Sequence, residues 1–377
     1  MKLAVFNGQI FTGEEVLINH AVLVDNGMVL GIVPETEIPE SFCNRWDLNH
    51  NILAPGFIDL QVNGGGGIMF NSAPTVETIS KMSKAHRKFG TTGFMPTLIT
   101  DDYSVMKSAV NAVECAINEN IPGVLGIHLE GPFLSEIKKG AHDANKFCKI
   151  DKEGFEIMTS LSKGKTIVTI APELADPSII GKLSQAGVVI CAGHSNADYE
   201  QTTEALRHGL NGFTHLYNAM TPLQSRLPGM VGAAISDDSS WFGIIADGFH
   251  MHPAAFKIAV KAKKQGGAIL VTDAMATVGS ISNSFELNGE TIRAINGKCE
   301  NAAGSLAGSD LNMNDAVLNT IKFANLSWQE AIRMASLYPA KALNLDHQLG
   351  KISAGYHANF VSINKDLVVE KTWINGV

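Results

Sequence analysis

Residues 188–215 read VVICAGHSNADYEQTTEALRHGLNGFTH. An apolar run (Val188–Ala192) passes through a polar loop into a helical pattern (Ala197–His208), stops at Gly209, and re-enters a short apolar run (Gly212–Thr214). A strand, a helix closed by glycine and a second strand make a βαβ unit, which needs a parallel sheet. The same rhythm extends in both directions. Apolar runs occur at Ile52–Val62, Gly93–Ile99, Val124–Leu129, Thr166–Ala171, Val188–Ala192, Gly212–Thr214, Phe242–Ala246 and Ala268–Thr272. Helical patterns between them have readable ends: Pro74 to Phe89 stops at Gly90, and Pro253 to Gln265 stops at Gly266-Gly267. Eight such units predict an α/β fold, a (β/α)8 TIM-type barrel.

The ends of the chain have another character. Short strands at Leu3–Phe6, Gln9–Phe11, Ala21–Asp25 and Met28–Val33 are punctuated by Asn7-Gly8 and Asn26-Gly27, dipeptides suited to the positive φ of tight hairpins. After three helical stretches (Leu311–Phe323, Trp328–Ser336, Pro339–Leu345), strands return at Ala358–Ile363 and Val368–Ile374. The expectation is a barrel over 52–345 beside a small discontinuous β-sandwich domain built from 1–51 and 346–377.

Composition narrows the function classes. Lys plus Arg number 29 and Asp plus Glu 37 in 377 residues, a net charge of −8, which argues against a general nucleic-acid or anionic-membrane binder. No apolar run approaches the ~18 residues of a membrane span, and the N-terminus turns polar too early for a secretory signal. Five scattered cysteines (Cys43, Cys115, Cys148, Cys191, Cys299) form no CxxC pair. Reduced thiols in a cytoplasmic protein are expected.

In a barrel of this type the chemistry sits where the strands end. The first polar residues after the apolar runs are Gln61 and Asn63, then His128 and Glu130, Glu173, His194, His215, Asp247 and His250, and finally Asp273. Two histidines and one carboxylate on neighbouring strands suit a catalytic divalent metal that keeps a position open for water. Glu130, His194 and His215 fit that pattern. His128 shares a strand face with Glu130 and reads as a hydrogen-bonded core residue. Glu173 fits either a ligand or a helix cap. His86 and His208 fall in helical patterns and read as surface residues. Gly64-Gly65-Gly66-Gly67 lacks the Lys-Ser/Thr ending of a phosphate loop and reads as a flexible connection. Asp273 ends an apolar strand; beside a metal it would shuttle a proton, and otherwise it would cap a helix.

These segments resemble the amidohydrolase superfamily. Ala54-Pro55-Gly56-Phe57-Ile58-Asp59 is similar to its first barrel strand. His128-Leu129-Glu130-Gly131-Pro132-Phe133, Ala192-Gly193-His194-Ser195, Thr214-His215-Leu216-Tyr217-Asn218-Ala219-Met220, Ala246-Asp247-Gly248-Phe249-His250 and Val271-Thr272-Asp273-Ala274 look like its N-acetylglucosamine-6-phosphate deacetylase branch. The resemblance covers essentially the whole chain, in order. It implies Glu130, His194 and His215 as ligands of one divalent metal per subunit, Zn2+ by preference, with Asp273 as general base and acid. It further implies that His142 binds and polarises the acetamido carbonyl beside Ala141. Asn218 and Ala219 would hold the sugar, Arg226 and His250 the phosphate, and Leu306, Ala307 and Gly308 would line the substrate with backbone. A phosphorylated amino-sugar substrate follows, with a homodimer whose interface lies near the phosphate.

One departure matters. Many superfamily members carry His-x-His at the end of strand one, where this chain has Gln61-Val62-Asn63. Amides are poor zinc ligands, so one firmly held metal is expected rather than two. The rival expectations are an amidohydrolase for a cyclic amide or another N-acyl amino sugar, and a non-catalytic phosphosugar-binding barrel.

Overall fold

A computed structural model describes residues 2–377; Met1, the first residue of the expected β domain, lies outside them. Eight strands form one parallel sheet in chain order: β1 (Phe57–Val62), β2 (Thr91–Ile99), β3 (Gly126–Glu130), β4 (Lys165–Ile170), β5 (Val189–Ala192), β6 (Gly212–Phe213), β7 (Trp241–Ile244) and β8 (Ala268–Leu270). Apart from the terminal Lys165 and Trp241, every residue of these strands is buried. One face fills the lumen and the other meets the helix layer, which explains their continuous apolar reading. Helices such as Val76–Arg87, Tyr199–Arg207 and Pro253–Ala262 supply that layer. Tyr199–Arg207 starts on a reciprocal Asp198–Gln201 capping box, and Pro253–Ala262 on a proline whose missing N–H is not needed there. The sheet closes through an isolated parallel bridge between Val62 and Ala274.

The expected single run Ile52–Val62 is two strands. Ile52–Pro55 pairs in parallel with Gln9–Phe11 and antiparallel with Phe360–Ile363, while Phe57–Val62 enters the barrel. Gly56 makes the break: a Cβ there would lie 2.2 Å from the Thr92 side chain. N-terminal strands form one four-stranded sheet, and strands from both chain ends meet in a second sheet of five. They enclose a separate apolar core that includes Val5, Ile10, Val22, Leu53, Ile352, Phe360 and Trp373.

Residues 284–309, of which only Leu306, Ala307 and Gly308 are named from the sequence as substrate-lining, carry no strand expectation. They form a four-stranded antiparallel sheet: Ser284–Leu287, Glu290–Ile295, Lys298–Glu300 and Leu306–Ser309. Its first two turns are Asn288-Gly289 and Asn296-Gly297, all four residues at positive φ. That is the same hairpin signal that marks the N-terminal strands, and it was available in the sequence. Ser309 N donates to Asp273 O (3.0 Å) and Met275 N to Ser309 O (2.9 Å), tying this sheet to the barrel rim.

Two expectations are corrected. His86 is buried rather than superficial, with Nε2 2.8 Å from Gly64 O. Burial pushes it down to about 4, so its ring is neutral and donates that bond. The Gly64–Gly67 segment is pinned rather than flexible, because Gly66 N and Gly67 N donate to Val278 O and Ala276 O (2.8 Å each).

Candidate active site

Glu130 is the last residue of β3, and His194 and His215 lie just beyond β5 and β6. Their ligand-capable atoms fall within 4.8 Å of one another, and all three residues are buried. Glu130 Oε1 is 3.2 Å from His194 Nε2 and 3.0 Å from His215 Nε2, and the two Nε2 atoms are 3.0 Å apart. His194 Nδ1 donates to Lys138 O (2.9 Å), because a carbonyl can only accept; its Nε2 lone pair therefore points into the cluster. Burial opposes charge on Glu130, yet the imidazoles of His194 and His215 packed against it hold it well below the usual carboxylate range. One anion and two imidazole nitrogens converging among buried side chains match the donor set of a divalent metal.

Asp273 stands on the far side of the cluster, three residues after the end of β8. Asn63 Nδ2 donates to its Oδ1 at 2.6 Å, and Gln61 Nε2 lies 3.1 Å from Asp273 Oδ1 and 3.1 Å from Glu130 Oε2. Burial, reinforced by the charge of Glu130, pushes Asp273 up to about 6. Such a value suits a group that exchanges a proton near neutral pH. His194, His215 and Asp273 all carry left-handed φ values (+47°, +33° and +53°). Non-glycine residues adopt this region at a cost that surrounding structure must enforce.

His142 closes the pocket from the loop after β3. Thr100 N donates to its Nδ1 at 3.3 Å, and a backbone N–H cannot accept, so the neutral ring carries its proton on Nε2. Burial drives His142 down to about 3, keeping it neutral. Its Nε2–H is thus free to donate to a carbonyl oxygen, 3.9 Å from Glu130 Oε1. Together with Ala141, Asn218, Ala219, His250, Leu306 and Gly308, these side chains line one cavity of about 160 Å³. His250 Nδ1 donates to Asp247 Oδ2 at 2.6 Å, with both side chains buried. Ala307 lies beside Leu306 in an adjoining groove, and Arg226 is exposed on the 221–228 loop, outside the cavity lining.

His128 is a core residue as read: Nε2 is 2.8 Å from Thr169 Oγ1 inside the barrel. Glu173 is neither ligand nor cap. It accepts from Ser195 Oγ (2.6 Å) and Asn196 N (2.7 Å), bracing the turn that carries His194. Gln61 and Asn63 were noted only as poor ligands, and their bonds to Asp273 were missed. Their position two residues apart on one strand face was the available signal.

The chain matches the amidohydrolase family over residues 52–377 and the NagA composite domain over residues 3–53. It is 42% identical to an N-acetylgalactosamine-6-phosphate deacetylase of Shewanella sp. (strain ANA-3), over 94% of this chain and 90% of that one. It is 36% identical to the N-acetylglucosamine-6-phosphate deacetylase of Haemophilus influenzae, over 100% and 99% of the two chains. The crystal structure of N-acetylglucosamine-6-phosphate deacetylase from Pasteurella multocida superposes with a TM-score of 0.96 at 36% identity, over 100% and 99%. On these matches, which span fold and site together, the chain belongs to the amidohydrolase family.

Proposed function

We propose that this protein hydrolyses the acetamido group of N-acetylglucosamine 6-phosphate, releasing acetate and glucosamine 6-phosphate. The observation that carries the reading is the meeting of Glu130, His194 and His215 with a raised-pKa Asp273 and a neutral, Nε2-protonated His142 in one buried cavity. Glu130, His194 and His215 would hold a divalent ion, zinc by preference for two imidazoles and a carboxylate. A divalent cation there supplies Lewis acidity and acidifies water toward a pKa of about 7. Asp273, ionised, takes the proton of the attacking water and returns it to the departing amine. His142 Nε2–H donates to the acyl oxygen as negative charge develops on it. Gln61 and Asn63 keep the Asp273 carboxylate aimed at the reacting centre.

Asn218 and Ala219 hold the sugar, and the backbone of Leu306, Ala307 and Gly308 lines it. His250, backed by Asp247, takes the phosphate, whose distance from the amide makes its binding energy available for orientation. Arg226, exposed between the exposed Leu223 and Leu227, reaches the phosphate of a second subunit in a homodimer. The division into a barrel over 52–345 and a β domain from 1–51 and 346–377 belongs to this reading, supported by the separate terminal core. So does a cytoplasmic location, supported by five free cysteines; among the described residues, no helix is long and apolar enough to cross a membrane.

A second reading, the C4 epimer N-acetylgalactosamine 6-phosphate, is favoured by the relative at 42% identity. Acetate release should be assayed from both epimers, before and after chelation and with zinc restored. Turnover that is metal-dependent and faster on the gluco epimer supports the proposal. A galacto preference moves the substrate to the second reading, and activity that survives complete chelation overturns the mechanism.

A further inference from the structure

A barrel closes only if its first and last strands meet, and here side chains make much of that junction. β8 ends at Leu270, and the bridge to β1 comes only at Val62–Ala274. Asp59 fills the interval. Its Oδ1 accepts from Thr272 N and from Gln61 N (3.2 Å each), and its Oδ2 accepts from Thr272 Oγ1 at 2.5 Å. The carboxyl is completely buried. Three donors need acceptors on two oxygens, which a carboxyl provides; an amide would turn a donor toward one of them.

Both residues held in this way lead to Asp273. Thr272 is its chain neighbour, and Ser309 Oγ donates to Thr272 O at 2.5 Å. Gln61 O accepts from Asp273 N (3.0 Å), while Gln61 Nε2 reaches the Asp273 carboxylate. Asp273 itself sits at φ +53°. A non-glycine residue persists there only when its neighbours over-determine it.

We propose that Asp59 is a positioning residue for Asp273, acting through Thr272 and Gln61 across the barrel seam. The inference rests on Asp273 being the proton-transfer group of the proposed deacetylation. A purely structural role lowers the unfolding temperature and leaves turnover of the folded, metal-loaded enzyme unchanged. Positioning instead lowers kcat and leaves KM alone, because the phosphate and sugar contacts lie elsewhere on the rim.

The test compares Asp59→Ala, Thr272→Val and Thr272→Ser with wild type, each at matched metal content and well below its unfolding midpoint. Thr272→Val keeps the side-chain shape without the hydroxyl, so it carries the test if Asp59→Ala does not fold. Loss of kcat by about 10²-fold, the scale expected for a misplaced catalytic group, is expected for Asp59→Ala and Thr272→Val, with KM unchanged and Thr272→Ser near wild type. In an Asp273→Asn background Thr272→Val should have no further effect, because it acts through the group already removed. Wild-type kcat in folded, metal-loaded Thr272→Val overturns the inference, as does full additivity with Asp273→Asn. If wild type itself releases no acetate, the functional reading has failed. Hydrogen exchange over Thr272–Ala276 then decides the seam on its own: faster in Thr272→Val upholds it, and unchanged rejects it.

Discussion

At the scale of single residues, the site works by setting unlike protonation states side by side. Glu130 is held ionised by His194 and His215, while Asp273, a few ångströms away, is raised to about 6 and His142 is kept neutral. Asp273→Asn preserves the shape and removes the base, so metal content should stay at wild-type level while kcat falls at least ~10²-fold. Near-normal turnover in that variant removes Asp273 from the mechanism. Asp59 carries a second, thermodynamic signature. Burial pushes it from an ordinary 3.8 up to about 7. A carboxyl whose folded value is raised contributes most stability below its unfolded pKa, and that contribution is lost as pH rises through the folded value. Asp59→Asn does not titrate, so its stability relative to wild type should improve between pH 5 and pH 8, read from urea midpoints. An equal gap at the two pH values would show that Asp59 ionises normally in the fold.

At the scale of elements, the strands deliver Glu130, His194 and His215 and the loops aim them. β5 brings the chain to Ala192, but the ring of His194 is set by Lys138 O on one side, and its turn is braced by Glu173 on the other. Glu173→Ala should therefore weaken metal affinity by ~10- to 100-fold, the usual cost of removing a supporting partner. Titration of the metal-free protein followed by calorimetry measures this directly, and unchanged affinity would confine Glu173 to loop stability. The sheet over 284–309 belongs to the same scale. Its last strand places Leu306 and Gly308 against the cavity because Ser309 bonds to the backbone of Asp273 and Met275.

At the scale of the whole molecule, one polar group proposed for the substrate sits away from the pocket it should serve. Arg226 is exposed on a loop flanked by two exposed leucines, Leu223 at 52% and Leu227 at 69%. Apolar side chains left in water on both sides of an arginine proposed to bind phosphate fit a surface that a second subunit covers. Leu227→Asp should shift the mass in solution from dimer to monomer. It should also raise KM for the phosphosugar in the same direction as Arg226→Ala. A monomeric variant with unaltered KM would separate Arg226 from the partner's site. Chelation should lower the unfolding temperature and zinc should restore it, because an ion that binds only the folded state stabilises that state.

The sequence by itself determined the barrel and the gathering of Glu130, His194 and His215, a trio that could hold a metal. Alternating apolar runs and glycine-closed helices admit few arrangements, and the end of a barrel strand is one place on one rim. It could not separate Ile52–Pro55 from Phe57–Val62, because both are apolar and only the approach of Thr92 at Gly56 divides them. Nor could it place His86, whose helical spacing is the same whether its face meets solvent or Gly64 O. For Gln61 and Asn63 the sequence offered only their shared strand face, whereas the bonds of Asp59 and Glu173 were decided by tertiary structure alone. Each acts by a hydrogen bond to a residue that is distant in the chain or belongs to another element, and such a bond leaves no period or spacing in the sequence to be read.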